Sequence, residues 1–122
     1  MTNNHEIQTI VEALRDNKAV DITALDLRKL SDASDYFLIA SGRSDTHVRA
    51  LADHVIDAMK RVDRSPHHVE GLSAGRWVLI DYVDVVVHVF HPTLRQFYQL
   101  ERLWADAPVL ATARSGGQLA SP

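Results

Sequence analysis

The chain contains no cysteine. That excludes a disulfide framework and any thiolate metal centre, and it suits a reducing compartment. No apolar run approaches the ~18–20 residues that a membrane-spanning helix needs. Met1 to Glu6 shows no basic stretch followed by an apolar core, so a secretory signal is not expected, and the expected location is the cytoplasm. Positive charge is also scarce: 13 Lys and Arg stand against 16 Asp and Glu, a net charge of −3 with neutral histidines. A mildly acidic chain is a poor match for phosphate-driven nucleic-acid binding and a better one for a basic protein partner. Gly-rich phosphate loops of the P-loop or dinucleotide type are missing, as are internal repeats.

What remains reads as one α/β domain over residues 1–108, with a mixed β-sheet flanked by helices. Ile7, Ile10, Val11 and Leu14 fall at helical spacing and predict an amphipathic helix from residue 5 to about 18. Residues 21–27 are a candidate strand, and the continuously apolar Tyr36 to Ala40 predicts a buried central strand. Ser44 or Asp45 caps a second helix, whose stripe is Val48, Leu51, Ala52, Val55, Ile56, Met59 and Val62. Residues 63–67, with Pro66, break it, and His68 to Leu72 is a further strand. After Pro92, Thr93 and Gln96 resemble a capping box, and Leu94, Phe97, Leu100, Leu103 and Trp104 predict a third helix that Pro108 ends. Residues 109–122, small and polar from Ala111 onward with Gly116-Gly117 inside, read as a disordered tail.

Trp77 to Phe90 is the most informative stretch. Folded at Tyr82-Val83, it becomes a hairpin pairing Ile80 with Val85, Leu79 with Val86 and Trp77 with His88. Side chains alternate across a strand, so one face is aliphatic (Val78, Ile80, Val85, Val87, Val89). The other carries Trp77, Leu79, Asp81, Asp84, Val86, His88 and Phe90. Three helices cannot cover both faces of a five-strand sheet, so this second face is expected to stay partly open, as a protein-interaction patch would.

Candidate chemistry is thin. Asp81 and Asp84 could hold Mg²⁺ beside a Ser41-to-Ser44 phosphate loop, as in a nucleotidyltransferase, but Asp is common at turns for backbone reasons alone. The seven histidines form no ligand set at metal spacing. His47 reads as a neutral, hydrogen-bonding imidazole in a first helical turn. Lys60, Arg61 and Arg64 read as a solvated cluster that suits a helix C-terminus.

Asp35 to Ser44, followed by His47 and Ala50-Leu51-Ala52, resembles the first signature of the Iojap family, the bacterial ribosomal silencing factors. Glu70-Gly71, Trp77 to Tyr82, Asp84 to Phe90, Arg95 to Tyr98 and Leu100 to Trp104 extend the resemblance over about residues 5–108. One position departs: the family usually has Gly between the Tyr and Asp of the hairpin turn, where this chain has Val83. A β-branched residue disfavours φ > 0, so a different turn geometry is expected. The resemblance implies a nucleotidyltransferase-like topology without catalysis, cofactor or metal. It implies binding to large-subunit ribosomal protein L-fourteen, which blocks joining of the small subunit and slows translation when nutrients are scarce. On that implication Trp77 and Leu79 are apolar anchors and Glu70, Asp81 and Asp84 meet the partner's Lys and Arg, while His88 and Tyr98 extend the patch. Little direct nucleic-acid contact and no membrane contact are expected, and a homodimer is the expected way for free protein to cover the face. The competing reading is a nucleotide-binding enzyme that uses Asp81 and Asp84.

Overall fold

The computed structural model describes residues 4–29, 34–92 and 109–113. The elements run α1 (Asn4–Asp16), β1 (Val20–Asp26), β2 (Tyr36–Ser41), α2 (Asp45–Lys60), β3 (His68–Glu70), β4 (Trp77–Asp81), β5 (Val85–Phe90) and β6 (Val109–Ala113). They build one six-stranded sheet in the order β3-β4-β5-β2-β1-β6. Neighbours are antiparallel except β2 and β5, which run parallel. A parallel pair needs a long crossover, and α2 with β3 and β4 lies within it. The expected third helix, Tyr98 included, lies outside the described residues.

Both helices end on local chemistry, and α2 also begins on it. Ser44, in extended backbone, caps α2 by accepting the His47 N–H at 3.1 Å. At its far end the Arg64 N–H reaches the Met59 carbonyl and the Asp63 N–H reaches that of Lys60. This is a Schellman closure with Asp63 in the left-handed region at φ 63°. Helix α1 closes the same way on Lys18, at φ 67°. Neither closure uses glycine, so neither announces itself in the sequence.

The aliphatic hairpin face is core, as its alternation indicates. Val78, Ile80, Val85, Val87 and Val89 are fully buried with Ile10, Leu14, Leu51, Val55 and Met59 of the helices. The opposite face carries a smaller cluster of Leu25, Leu27, Ile39 and Phe90, with Phe37 and Trp77 packed against it.

Four expectations are corrected. The hairpin pairs Trp77 with Phe90, Leu79 with His88 and Ile80 with Val87, a register two residues from the expected one. A shift of two keeps every strand side chain on its face, so the faces survive the error except at Asp84, which lies in the turn before β5 and points to Arg64 instead of joining the mixed face. Second, the face opposite α1 and α2 is less open: Val86, His88 and Phe90 are buried, while Trp77, Leu79 and Asp81 are half-buried. Third, residues 109–113, assigned to the tail, form β6 along β1, whose free edge offers unpaired backbone groups. Fourth, Arg64 is not a solvated charge but an ion-paired one, as described below.

The turn is centred on Val83. The Asp84 N–H donates to the Tyr82 carbonyl at 3.0 Å and the Tyr82 N–H to the Val85 carbonyl at 2.8 Å. Val83 keeps φ at 76° despite its branched side chain, the geometry of a strained γ-turn. The residue is 57% exposed, so packing offsets little of the strain. Val83→Gly is expected to raise stability by about 1 kcal/mol, the relief of left-handed strain less the added entropy of the unfolded chain. An increase in the urea midpoint at unchanged m-value checks this, and a decrease would show that Val83 makes compensating contacts.

Candidate functional site

The register sets the candidate face. Glu70 lies opposite Leu79, Leu79 opposite His88, and His88 opposite Ile39. A second row runs His68, Asp81, Val86, Phe37, and Trp77 stands beside Phe90. Directly opposed residues share a face, so Glu70, Trp77, Leu79, Asp81 and His88 are brought together on one side of the sheet. Exposure falls along the first row from Glu70 on the edge strand, through half-buried Leu79, to buried His88 and Ile39. Gly71, at φ 81°, is needed just after the edge strand: a Cβ there would lie 2.0 Å from the Trp77 carbonyl oxygen.

The two aspartates have different tasks. Asp81 Oδ1 accepts the Val83 N–H at 2.7 Å, a side-chain cap on the turn, and its carboxylate remains half-exposed. Asp84 points to Arg64, whose Nη2 lies 3.0 Å from Asp84 Oδ1 and 3.1 Å from the Tyr82 carbonyl oxygen. Arg64 Nη1 also pairs with Glu6 of α1, and the guanidinium carbon lies 5.8 Å from the centre of the Tyr82 ring. One cation thereby ties α1, the end of α2 and the hairpin tip together. Burial pushes the Tyr82 hydroxyl up to about 12, against a weaker opposing pull from Arg64. Glu70 Oε1 lies 3.1 Å from His68 Nε2. Within the Ser41-to-Ser44 segment Ser41 ends β2, the Gly42 N–H donates to the Phe90 carbonyl at 2.9 Å, and Ser44 caps α2. His47 accepts the Arg43 N–H on Nδ1 at 2.8 Å and donates from Nε2 to the Asn17 carbonyl at 2.8 Å, the neutral, bonded state that its position suggested. Among the described residues no three His, Asp or Glu side chains cluster as metal ligands.

His88 is the residue whose setting the sequence hid. It is only 4% exposed. The Trp77 indole N–H donates to its Nδ1 at 3.1 Å, and the ring centroids of Phe37 and Phe90 lie 4.7 Å and 6.1 Å away. Desolvation pushes its pKa down from 6.5 to about 4. The unfolded chain thus binds a proton more readily than the native one. Through this group stability is complete above about pH 6.5 and is lost as pH falls toward 4, by no more than about 3 kcal/mol at ~1.4 kcal/mol per unit. Urea titrations between pH 4 and 8 should show this slope in wild type and a shallower one in His88→Phe; equal slopes would assign acid sensitivity to other groups.

The class this geometry defines is an α/β scaffold with a mixed sheet face, on which half-buried Trp77 and Leu79 lie along one strand with Asp81 at its end and Glu70 opposite Leu79. The chain also matches, over residues 1–120, the family described as "Ribosomal silencing factor during starvation". It is 46% identical to the ribosomal silencing factor of Bacillus subtilis over 97 residues, 80% of this chain and 82% of that one. A crystal structure of a Chromobacterium violaceum protein superposes with a TM-score of 0.82 at 36% identity, covering 99% of this chain and 92% of that one. A mouse relative, "Mitochondrial assembly of ribosomal large subunit protein 1", is 33% identical over 81% of this chain and 45% of its own length. The chain belongs to the ribosomal silencing factor family. No helix among the described residues is long and apolar enough to cross a membrane.

Proposed function

We propose that this protein docks on the large ribosomal subunit through the Trp77 face and sterically prevents the small subunit from joining, lowering translation under starvation. The partner in this reading is ribosomal protein L-fourteen. The observation that carries it is the arrangement of half-buried Trp77 and Leu79 beside exposed Glu70 and half-exposed Asp81. Apolar anchors ringed by acids suit a basic protein surface, and the family description and the mouse relative's name both point to the ribosome. The mechanism requires occupancy and bulk only, with no reaction, cofactor or metal. Asp84 contributes indirectly, by holding the turn through Arg64. Tyr98 extends the contact, and self-association into a homodimer covers the same face in free protein.

The test is co-sedimentation with isolated large and small subunits, with subunit joining assayed in parallel. Binding to large subunits alone, with reduced joining, is the expected result. No binding at low and moderate salt would overturn the reading. Asp81→Asn keeps the oxygen that caps Val83 and removes the charge. Combined with Glu70→Gln it should weaken binding roughly 3- to 10-fold and flatten its salt dependence. An unchanged salt dependence would move the acidic contact elsewhere.

A further inference from the structure

We infer that His88 is a positioning residue for Trp77: its Nδ1 accepts the indole N–H and fixes the orientation in which the indole is offered to the docking partner. This rests on the docking reading above and gives His88 a role other than direct contact.

The hydrogen-bond geometry permits a single tautomer. The Trp77 Nε1 can only donate, so Nδ1 of His88, 3.1 Å away, must be bare and the proton must sit on Nε2. That Nε2–H is buried and meets no acceptor among the described residues. A buried donor without an acceptor opposes folding, and so does desolvation of the ring. An apolar ring of the same size at position 88 would avoid both costs. The imidazole's gain lies on its other nitrogen, in the bond to Trp77.

The rings around it make that bond directional. The indole packs at 4.9 Å and 31° against Phe90, the imidazole lies at 10° to the same ring, and the Phe37 ring centroid is 4.7 Å from that of the imidazole. Trp77 is the first residue of β4 and is half-buried, so packing alone holds only part of its side chain. Without the Nδ1 acceptor the indole N–H gains by turning toward water. Docking would then have to order a large side chain that is already ordered in the native protein, and preorganisation of this kind is a main source of affinity.

The experiment uses the full chain labelled with ¹⁵N. It contains two tryptophans, hence two indole N–H resonances, and the one lost in Trp77→Phe belongs to Trp77. His88→Phe should shift that resonance and speed its exchange with water, and weaken large-subunit binding roughly 3- to 10-fold. His88→Asn, whose Oδ1 takes the place of Nδ1, should restore both. If the Phe ring does not fit, His88→Leu gives the same readout. An unshifted Trp77 resonance in both apolar variants would overturn the inference. So would a shifted resonance with wild-type affinity, or lost affinity in His88→Asn with the resonance restored, which would make His88 a contact. Normal binding by Trp77→Ala would instead sink the docking reading itself.

Discussion

Trp77→Ala is expected to weaken binding to the large subunit by roughly 30- to 1,000-fold, the range of a buried aromatic anchor. Trp77 is suited to that role because it is only half-buried before any partner arrives, yet already fixed by Phe90 at 4.9 Å and by the bond to His88. Its remaining exposed surface is free to be covered, and its conformational entropy has largely been lost on folding. The same contacts make truncation costly to the monomer, by about 1–2 kcal/mol for a side chain of this exposure. Affinity must therefore be measured on folded protein, with circular dichroism and a urea titration beside the sedimentation assay. A folded Trp77→Ala protein that binds within threefold of wild type would remove the anchor from this residue. Leu79→Ala should then show the larger loss.

The second large effect falls on stability. Arg64→Met is expected to cost about 3–5 kcal/mol, because it strands two carboxylates that are themselves mostly covered. The side chains of Glu6 and Asp84 are 14% and 19% exposed, and Arg64 is 26% exposed. Methionine keeps much of the stem that packs near Tyr82, so the loss reports charge and hydrogen bonds more than volume. The triple change Glu6→Gln, Arg64→Met, Asp84→Asn should recover a large part of it, since amides tolerate burial that carboxylates do not. A loss below 1 kcal/mol in urea would mean that solvent screens the network and that the hairpin tip is held by its backbone bonds.

Periodicity reveals α1, α2 and the order of the first five strands, because each depends on neighbours three, four or two positions away. It also separates the two hairpin faces. It cannot tell a register from another two residues distant, since both satisfy the alternation, and Val83 in place of glycine concealed the centre of the turn. Arg64 was read as solvated because its partners lie at positions 6 and 84, and no local pattern joins such distant points. Alternation puts His88 on the mixed face but says nothing of how deep it sits. That depends on Phe37 and Ile39 of β2 lying beside it. Strand β6 was missed for a similar reason: a weak strand sequence is ordered by the edge it meets.

The parallel pairing of β2 with β5 has a consequence for when the protein can act. Tyr36 must find Val85 across all of α2, β3 and β4, a non-local closure of the kind that slows folding. Glu70, Trp77, Leu79, Asp81 and His88 all sit on β5 or on strands that β5 joins to the rest of the sheet. A chain still being synthesised therefore lacks this sheet face until Phe90 has emerged and the crossover has closed. On the docking reading proposed above, a growing copy would offer no such face to the ribosome that is making it.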